Sequence, residues 1–347
     1  MIARLWSVVL FAAAVAPLGD TAKAAEIKAA TPALVASIQP EKAEFLVGEP
    51  IFITLTVENK SDKDVEISEG GRSQNSLGRD EHFKITASDA AGKAVPGVEL
   101  GWVMGGGLTW RRPLPAHGKM TTAFFLPDWV QFKAEGEYRI RLESHQFGGF
   151  IGLDFSEETS IKVLPKDAVK MGAMIDGWGK TLASAKPHDF SNTEGLALKK
   201  LCFVDDERAI PHLARLSDKP LYQSEAIRAL AKFPTVKAVA ALKKAGEVSE
   251  NDLGPNDTSA TTIRHWVALT LASNTHPAAR ETLIDMRKDS FEPVRALAME
   301  AMARNPSSAD LAILETMTHD QDQGIANEAT HFLEKARSAA TQPQQKN

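Results

Sequence analysis

Nine histidines, one cysteine and several close carboxylates are the residues of this 347-residue chain whose chemistry could be catalytic. A zinc site is usually announced by two histidines one helical turn apart with a carboxylate close by. Here His82, His117 and His145 lie far apart, as do His188, His212, His265, His276, His319 and His331, and no HExxH occurs. The expectation is surface or hydrogen-bonded histidines. Cys202, within LKKLCFV, has no second cysteine for a disulfide or a metal cluster. Its apolar helical context predicts a buried, inert thiol. The chain has no G-x-S-x-G elbow, P-loop or G-x-G-x-x-G fingerprint. Glu157-Glu158 and Asp205-Asp206 are expected at turns, where carboxylates are usually solvated. The reading assigns no catalytic residue, no metal ligand and no cofactor.

Two stretches have the composition of binding surfaces. SENDLGPNDTS, 249–259, offers oxygen ligands at short spacing in Asp252, Asn256 and Asp257, but lacks the closing bidentate glutamate of a calcium loop. It reads as an exposed loop, and an insertion between repeats often emerges on a binding face. VELGWVMGGGLTWRRPLP, 98–115, gathers Trp102, Trp110, Arg111 and Arg112 around three glycines. Tryptophan and arginine are over-represented in binding hot spots. Two readings stand: the loop meets a partner, or Trp102 and Trp110 close the β core or pack on the helices.

The elements that would carry these loops follow from the rest of the chain. MIARLWSVVLFAAAVAPLGDTAKAAE has a positive start, an apolar run of about 12 residues and an A-x-A site at Ala22-Lys23-Ala24. That is the form of a cleavable secretory signal over 1–24, too short to span a bilayer, which takes about 20 residues. The expected location is periplasmic or secreted. Without residues 1–24 the net charge is −6, which gives no long-range pull on nucleic acid or anionic lipid.

From 32 to 165 the pattern has period two. In IFITLTVEN, Ile51, Ile53, Leu55 and Val57 alternate with Phe52, Thr54, Thr56 and Glu58. HFKITASDAAGKAV, TTAFFLPDW, EYRIRLES and TSIKVLP extend the series to seven or eight short strands, predicting an antiparallel β-sandwich. FLVGEPIFITLTVENKS and EGEYRIRL resemble phrases of bacterial immunoglobulin-like domains. The resemblance implies a Gly-Glu turn before the second long strand. It also implies a tyrosine, here Tyr138, bonded back across a corner, with Ile140 and Leu142 facing one side. The immunoglobulin cysteine pair is absent, so no function comes with the resemblance.

After Lys166 the period is 3.6. Residues 166–190 read as a helical cap joining the halves, although Gly172, Gly177 and Gly179 weaken a helix there. From 191 to 337 four segments align, ending at Asp218, near Glu247, at Asp289 and at Asp320. Their spacing is about 30 residues, lengthened once by VSENDLGPNDTSA. A repeat of two helices near this length signals an α-solenoid, in which each pair buries its stripe only against the next. In DSFEPVRALAMEAMARNPSSADLAILETMTHD one stripe is Val294, Leu297, Ala298 and Ala301, and the other is Leu311, Leu314 and Met317. AIRALAKF, VRALAMEAMA and AIPHLARLSD resemble HEAT-like repeats of the phycobilisome-lyase type. That resemblance implies the solenoid and carries no lyase residue over. Residues 338–347 read as a disordered polar tail.

The functional expectation is a non-catalytic exported scaffold of the cell envelope, meeting protein partners through the solenoid face and the loops at Trp102–Arg112 and Asp252–Asp257. The alternatives are an inhibitor or accessory of a secreted hydrolase or protease, and a lyase-like enzyme.

Overall fold

The structure, a computed structural model, describes residues 34–70, 79, 82–99, 101, 109–144, 154–185, 192–248, 259–304 and 306–341. The chain is of mixed α and β class, with strands preceding helices. The strands are β1 (Leu34–Pro40), β2 (Glu44–Leu46), β3 (Phe52–Asn59), β4 (Val65–Gly70), β5 (Phe83–Asp89), β6 (Thr109–Leu114), β7 (Lys119–Phe125), β8 (Gly136–Ser144) and β9 (Phe155–Leu164). They form sheets ordered β1-β3-β7, β2-β9-β8-β5 and β4-β6. All pairs are antiparallel except β2 with β9.

Period-two alternation builds one core between these sheets. Ile53, Leu55 and Val57 of β3 meet Ile85, Ile140, Leu142, Ile161 and Val163 from the four-stranded sheet. Each such side chain, fully buried, contributes roughly 1.5–3 kcal/mol over leaving it in water. The chain enters β3 through a turn closed by Glu49. Its Oε2 accepts the Leu46 N–H at 2.9 Å, its Oε1 meets Lys42 Nζ at 2.6 Å, and Gly48 takes the left-handed φ of 87° the turn needs. Tyr138 Oη donates to the Ala134 carbonyl at 2.9 Å, while Ile140 and Leu142 lie fully buried on the same side of β8. β6 covers residues 109–114, which the sequence reading placed in a loop. Pro113 and two arginines mask its strand character, yet Thr109 to Leu114 pair residue for residue with β4.

The helices are α1 (Ala168–Ser184), α2 (Asn192–Phe203), α3 (Ile210–Leu216), α4 (Gln223–Leu230), α5 (Val236–Gly246), α6 (Ala260–Ser273), α7 (Pro277–Asp285), α8 (Glu292–Arg304), α9 (Ser308–Met317) and α10 (Gln323–Thr341). Side chains set their starts: Asp167, Thr235, Ser259 and His276 cap α1, α5, α6 and α7, and Ser307 with Asp310 forms a capping box on α9. The helices lie in two rows. Helices α1, α3, α5 and α7 contact in succession, and so do α2, α4, α6, α8 and α10. Helix α10 runs to Thr341, into the stretch expected to be a disordered tail. Its Ala326, Ala329, Leu333 and Ala336 make a buried stripe at spacings of three and four that holds it on α8 and α9.

A recurring dipeptide links successive helices of the second row. Ile227-Arg228, Ile263-Arg264 and Val294-Arg295 occupy corresponding places in α4, α6 and α8, with the apolar member fully buried each time. Arg264 Nε donates to Asp289 Oδ2 at 2.8 Å, ahead of α8, and Arg295 Nη2 donates to Glu328 Oε1 of α10 at 3.1 Å. Both arginines reach forward to the next helix pair from nearly buried positions. Arg228 is 65% exposed and turns back to Glu225 on its own helix.

Candidate functional site

The arm formed by β4 and β6 positions the arginines singled out in the sequence. It continues the β3–β7 pair past an interruption at 60–64 and 115–118. Asn59, fully buried at the end of β3, holds that interruption. Its Nδ2 lies 2.7 to 3.2 Å from the carbonyl oxygens of Lys63, Leu114 and Pro115, and its Oδ1 accepts from the N–H and hydroxyl of Ser61. Ala116 N–H donates to Asp64, and His117, at φ 58°, sets Nε2 3.0 Å from Asp62.

Beyond this joint Arg111 pairs across the ladder with Ser68 and Arg112 with Ile67. Arg111 Nη1 donates diagonally to Glu66 Oε2 at 3.1 Å, and both arginines are exposed. Successive strand residues point to opposite faces, so the two guanidiniums serve different sides of the arm. Trp110 precedes them on β6, paired with Glu69, and its side chain lies outside the described residues. Trp102, Asp252, Asn256 and Asp257 lie outside them entirely.

The sequence reading missed a second composite surface, the junction of the two halves. Alternation puts Phe52 on the outward side of β3, among Thr54, Thr56 and Glu58, yet Phe52 and its ladder partner Phe125 are 5% and 6% exposed. Helix α2 covers them. The Phe203 ring stands edge-on to Phe125 at 5.2 Å, and Lys199 Nζ sits 4.7 Å from the Phe125 centroid while pairing with Asp128 at 2.7 Å. Lys200 Nζ pairs with Glu41 and lies 5.6 Å from Phe52 and 6.0 Å from Trp178. Leu46 of β2 joins the core of the helices. A phenylalanine on the polar face of a predicted strand was the available signal.

The ionisable groups with displaced pKa values each have a structural cause. Cys202 is partly buried rather than fully buried as expected, and the burial it has pushes its thiol up to about 12, so it stays protonated. Its neighbour Lys232 is shifted the opposite way, down, by burial. Lys232 Nζ donates to the carbonyls of Cys202 and Val204, the latter at 3.1 Å, at the end of α2. The Arg208 hydrogen bond holds the Asp206 carboxyl low against burial. His212 is held from both sides: Arg215 Nη2 lies 3.2 Å from its Nδ1 and Asp176 Oδ1 lies 3.0 Å from its Nε2. Among the described residues no group of three or more His, Cys, Asp or Glu is placed to hold a metal ion. An open cleft of about 450 Å³ lies over β8 and β9 between Asp89, Glu137, Arg139, Ser160 and Lys162. Its charged walls are solvent-facing members of the sheet.

No protein-family model matches the chain, and no curated protein matches it. Among solved structures it has a likeness to a β-glucosidase from Erythrobacter marinus, with TM-score 0.23 and 16% identity over 38% of this chain and 16% of that one. A CARDB domain from Pyrococcus furiosus gives TM-score 0.22 and 14% identity over 39% of this chain and 90% of that one. A β-glucosidase from Listeria innocua gives TM-score 0.22 and 15% identity over 39% and 16%. The chain thus spans 16% of the length of these glucosidases. Likenesses this low carry no argument about fold or function. Among the described residues no helix is long and apolar enough to cross a membrane.

Proposed function

We propose that this chain is an exported, non-catalytic binding protein of the cell envelope, made of an immunoglobulin-like sandwich followed by a short HEAT-like solenoid. The sandwich reading is supported by two sheets sharing one core, by β2 leaving its neighbours to pair parallel with β9, and by the Tyr138 bond back to Ala134. The solenoid reading is supported by the two rows of helices and by Arg264 and Arg295 recurring at one place in successive pairs. Export is supported by the leader-like composition of residues 1–24.

The fixed junction supports a binding role. Two ion pairs, two lysines over aromatic rings and the Phe125–Phe203 contact fix the halves against each other. A partner can then meet both in a set geometry without an ordering cost. The far end of the helices is closed by α10, whose outward residues Asn327, Thr330, His331, Glu334, Lys335 and Arg337 are polar and exposed. Partners are therefore received along the sides of the body and at the β4–β6 arm.

The test is cross-linking and affinity capture from envelope extract with the full chain, the Arg111→Ala/Arg112→Ala variant and the Asp252→Ala/Asn256→Ala/Asp257→Ala variant. Loss of a specific partner in either variant supports the reading. Retention of every partner by both rejects these surfaces, and full-length protein left uncut in the cytosol rejects the location.

A further inference from the structure

The buried apolar residues of the helices do not form one continuous core. The larger cluster runs from Met171 to Val294 and Ala298. A separate cluster begins at the next residue and comprises Met299, Met302, Ala303, Leu314, Met317, Ala329, Leu333 and Ala336. Three of its eight members are methionines and three are alanines. We propose that α9, α10 and the end of α8 form a separable, oxidation-responsive end unit, in which peroxide converts Met299, Met302 and Met317 to sulfoxides and so holds the unit open.

Among the described residues this unit meets the other helices on one side only, so it opens at lower cost than the middle of the stack. Its core is smaller than that of the preceding helices and rich in flexible methionine, with Leu314, Leu333 and partly buried Ile284, Leu311, Ile313, Ile325 and Phe332 completing it, so it has less packing to lose. Arg295–Glu328, Arg337–Glu315 and Lys335–Glu300 pin α10 to α8 and α9. Two of these three pairs are exposed and hold weakly.

The chemistry balances without any group from the protein. Each thioether sulfur gives an electron pair to one oxygen of hydrogen peroxide, the O–O bond breaks, and the products are a sulfoxide and water. A sulfoxide is polar, so returning it to the apolar cluster leaves its oxygen buried without a donor. The end unit therefore stays released, and the apolar stripes of α8, α9 and α10 are exposed.

The internal controls make the test sharp. Met171 is 9% exposed and Met120 is 7% exposed, whereas Met317 is 4% exposed and Met299 and Met302 are fully buried. The intact protein is treated with hydrogen peroxide and each methionine is followed by peptide mass spectrometry. The expected result is that Met299, Met302 and Met317 oxidise together, about tenfold faster than Met120 and Met171, because opening governs access. Glu328→Gln should speed the three and leave Met120 unchanged. The Met299→Leu/Met302→Leu/Met317→Leu variant should keep its helical circular dichroism at a peroxide dose that lowers that of the natural chain. An oxidation order that follows static exposure, with Met171 and Met120 first, overturns the proposal. So does equal loss of helix in the leucine variant.

Discussion

Gly179 of α1 and the imidazole of His212 are in direct contact: a methyl group on Gly179 would lie 2.0 Å from His212 Nδ1. Seven residues earlier on the same helix, Gly172 receives the Arg208 guanidinium, where a methyl group would lie 2.2 Å from Nη1. Two of the three glycines that weaken α1 as an isolated helix are the ones that let α3 and its approach lie against it. Gly177 faces open space, with nothing within 4 Å.

These three positions predict opposite responses to alanine. Gly179→Ala should destabilise by about 1–3 kcal/mol, because His212 must leave its bonds with Asp176 and Arg215. Gly172→Ala should cost less, since an arginine end swings aside more easily than a ring. Gly177→Ala should stabilise by about 0.5–1 kcal/mol through helix propensity. Urea denaturation of the three variants checks the order.

The recurring arginines predict a graded series. Arg264→Ala and Arg295→Ala each strand a nearly buried carboxylate, Asp289 and Glu328, and should cost about 3 kcal/mol. Arg228→Ala removes an exposed pair within one helix and should cost about 0.5 kcal/mol or less. Equal losses at all three would contradict the different roles assigned to them.

Asp310 predicts an acid-labile contact. Burial opposes its ionisation, but bonds from the Ser307 hydroxyl and N–H and from Arg280 prevail and hold its carboxyl below the ordinary 3.8. A depressed folded pKa means the stabilisation is present above the unfolded value and is lost as pH falls through the folded one. Stability of the natural chain should therefore drop more steeply below about pH 4 than that of Asp310→Asn, which starts lower at pH 7. Parallel denaturation midpoints for both proteins from pH 7 to pH 3 would refute this.

Lys200 predicts the firmness of the junction. Its side chain is 11% exposed, and Lys200→Glu would set a second carboxylate against Glu41. The expected cost is about 1–2 kcal/mol, discounted because Glu41 is half in solvent. Protease should then cut the 165–167 connection faster, while circular dichroism of each half is retained. An unchanged cleavage rate would show that Phe203 and Leu46 suffice to fix the halves.

The parts of the fold legible in the sequence are those set by local periodicity. Alternation marked Ile53, Leu55 and Val57, and the 3.6 period marked Val294, Ala298 and Leu314, all of which are buried. What stayed hidden depends on partners distant in the chain. Phe52 is covered by a helix some 150 residues later, and β6 shows itself as a strand only through its pairing with β4. Gly172 and Gly179 read as defects until Arg208 and His212 arrive from another helix. Composition singled out Arg111 and Arg112 as candidates, whereas Lys199 and Lys200 at the junction gave no signal, since paired lysines on a helix look like any solvated face.

The Cys202 thiol has a practical use. A cysteine engineered at the surface keeps the ordinary thiol range, whereas burial pushes Cys202 up to about 12, so at neutral pH the natural thiol carries far less thiolate. A maleimide dye added briefly will thus mark the engineered site and spare the native one. Paired fluorophores placed on the β4–β6 arm and on α10 can then report distances in the otherwise natural chain, without first deleting its own sulfur.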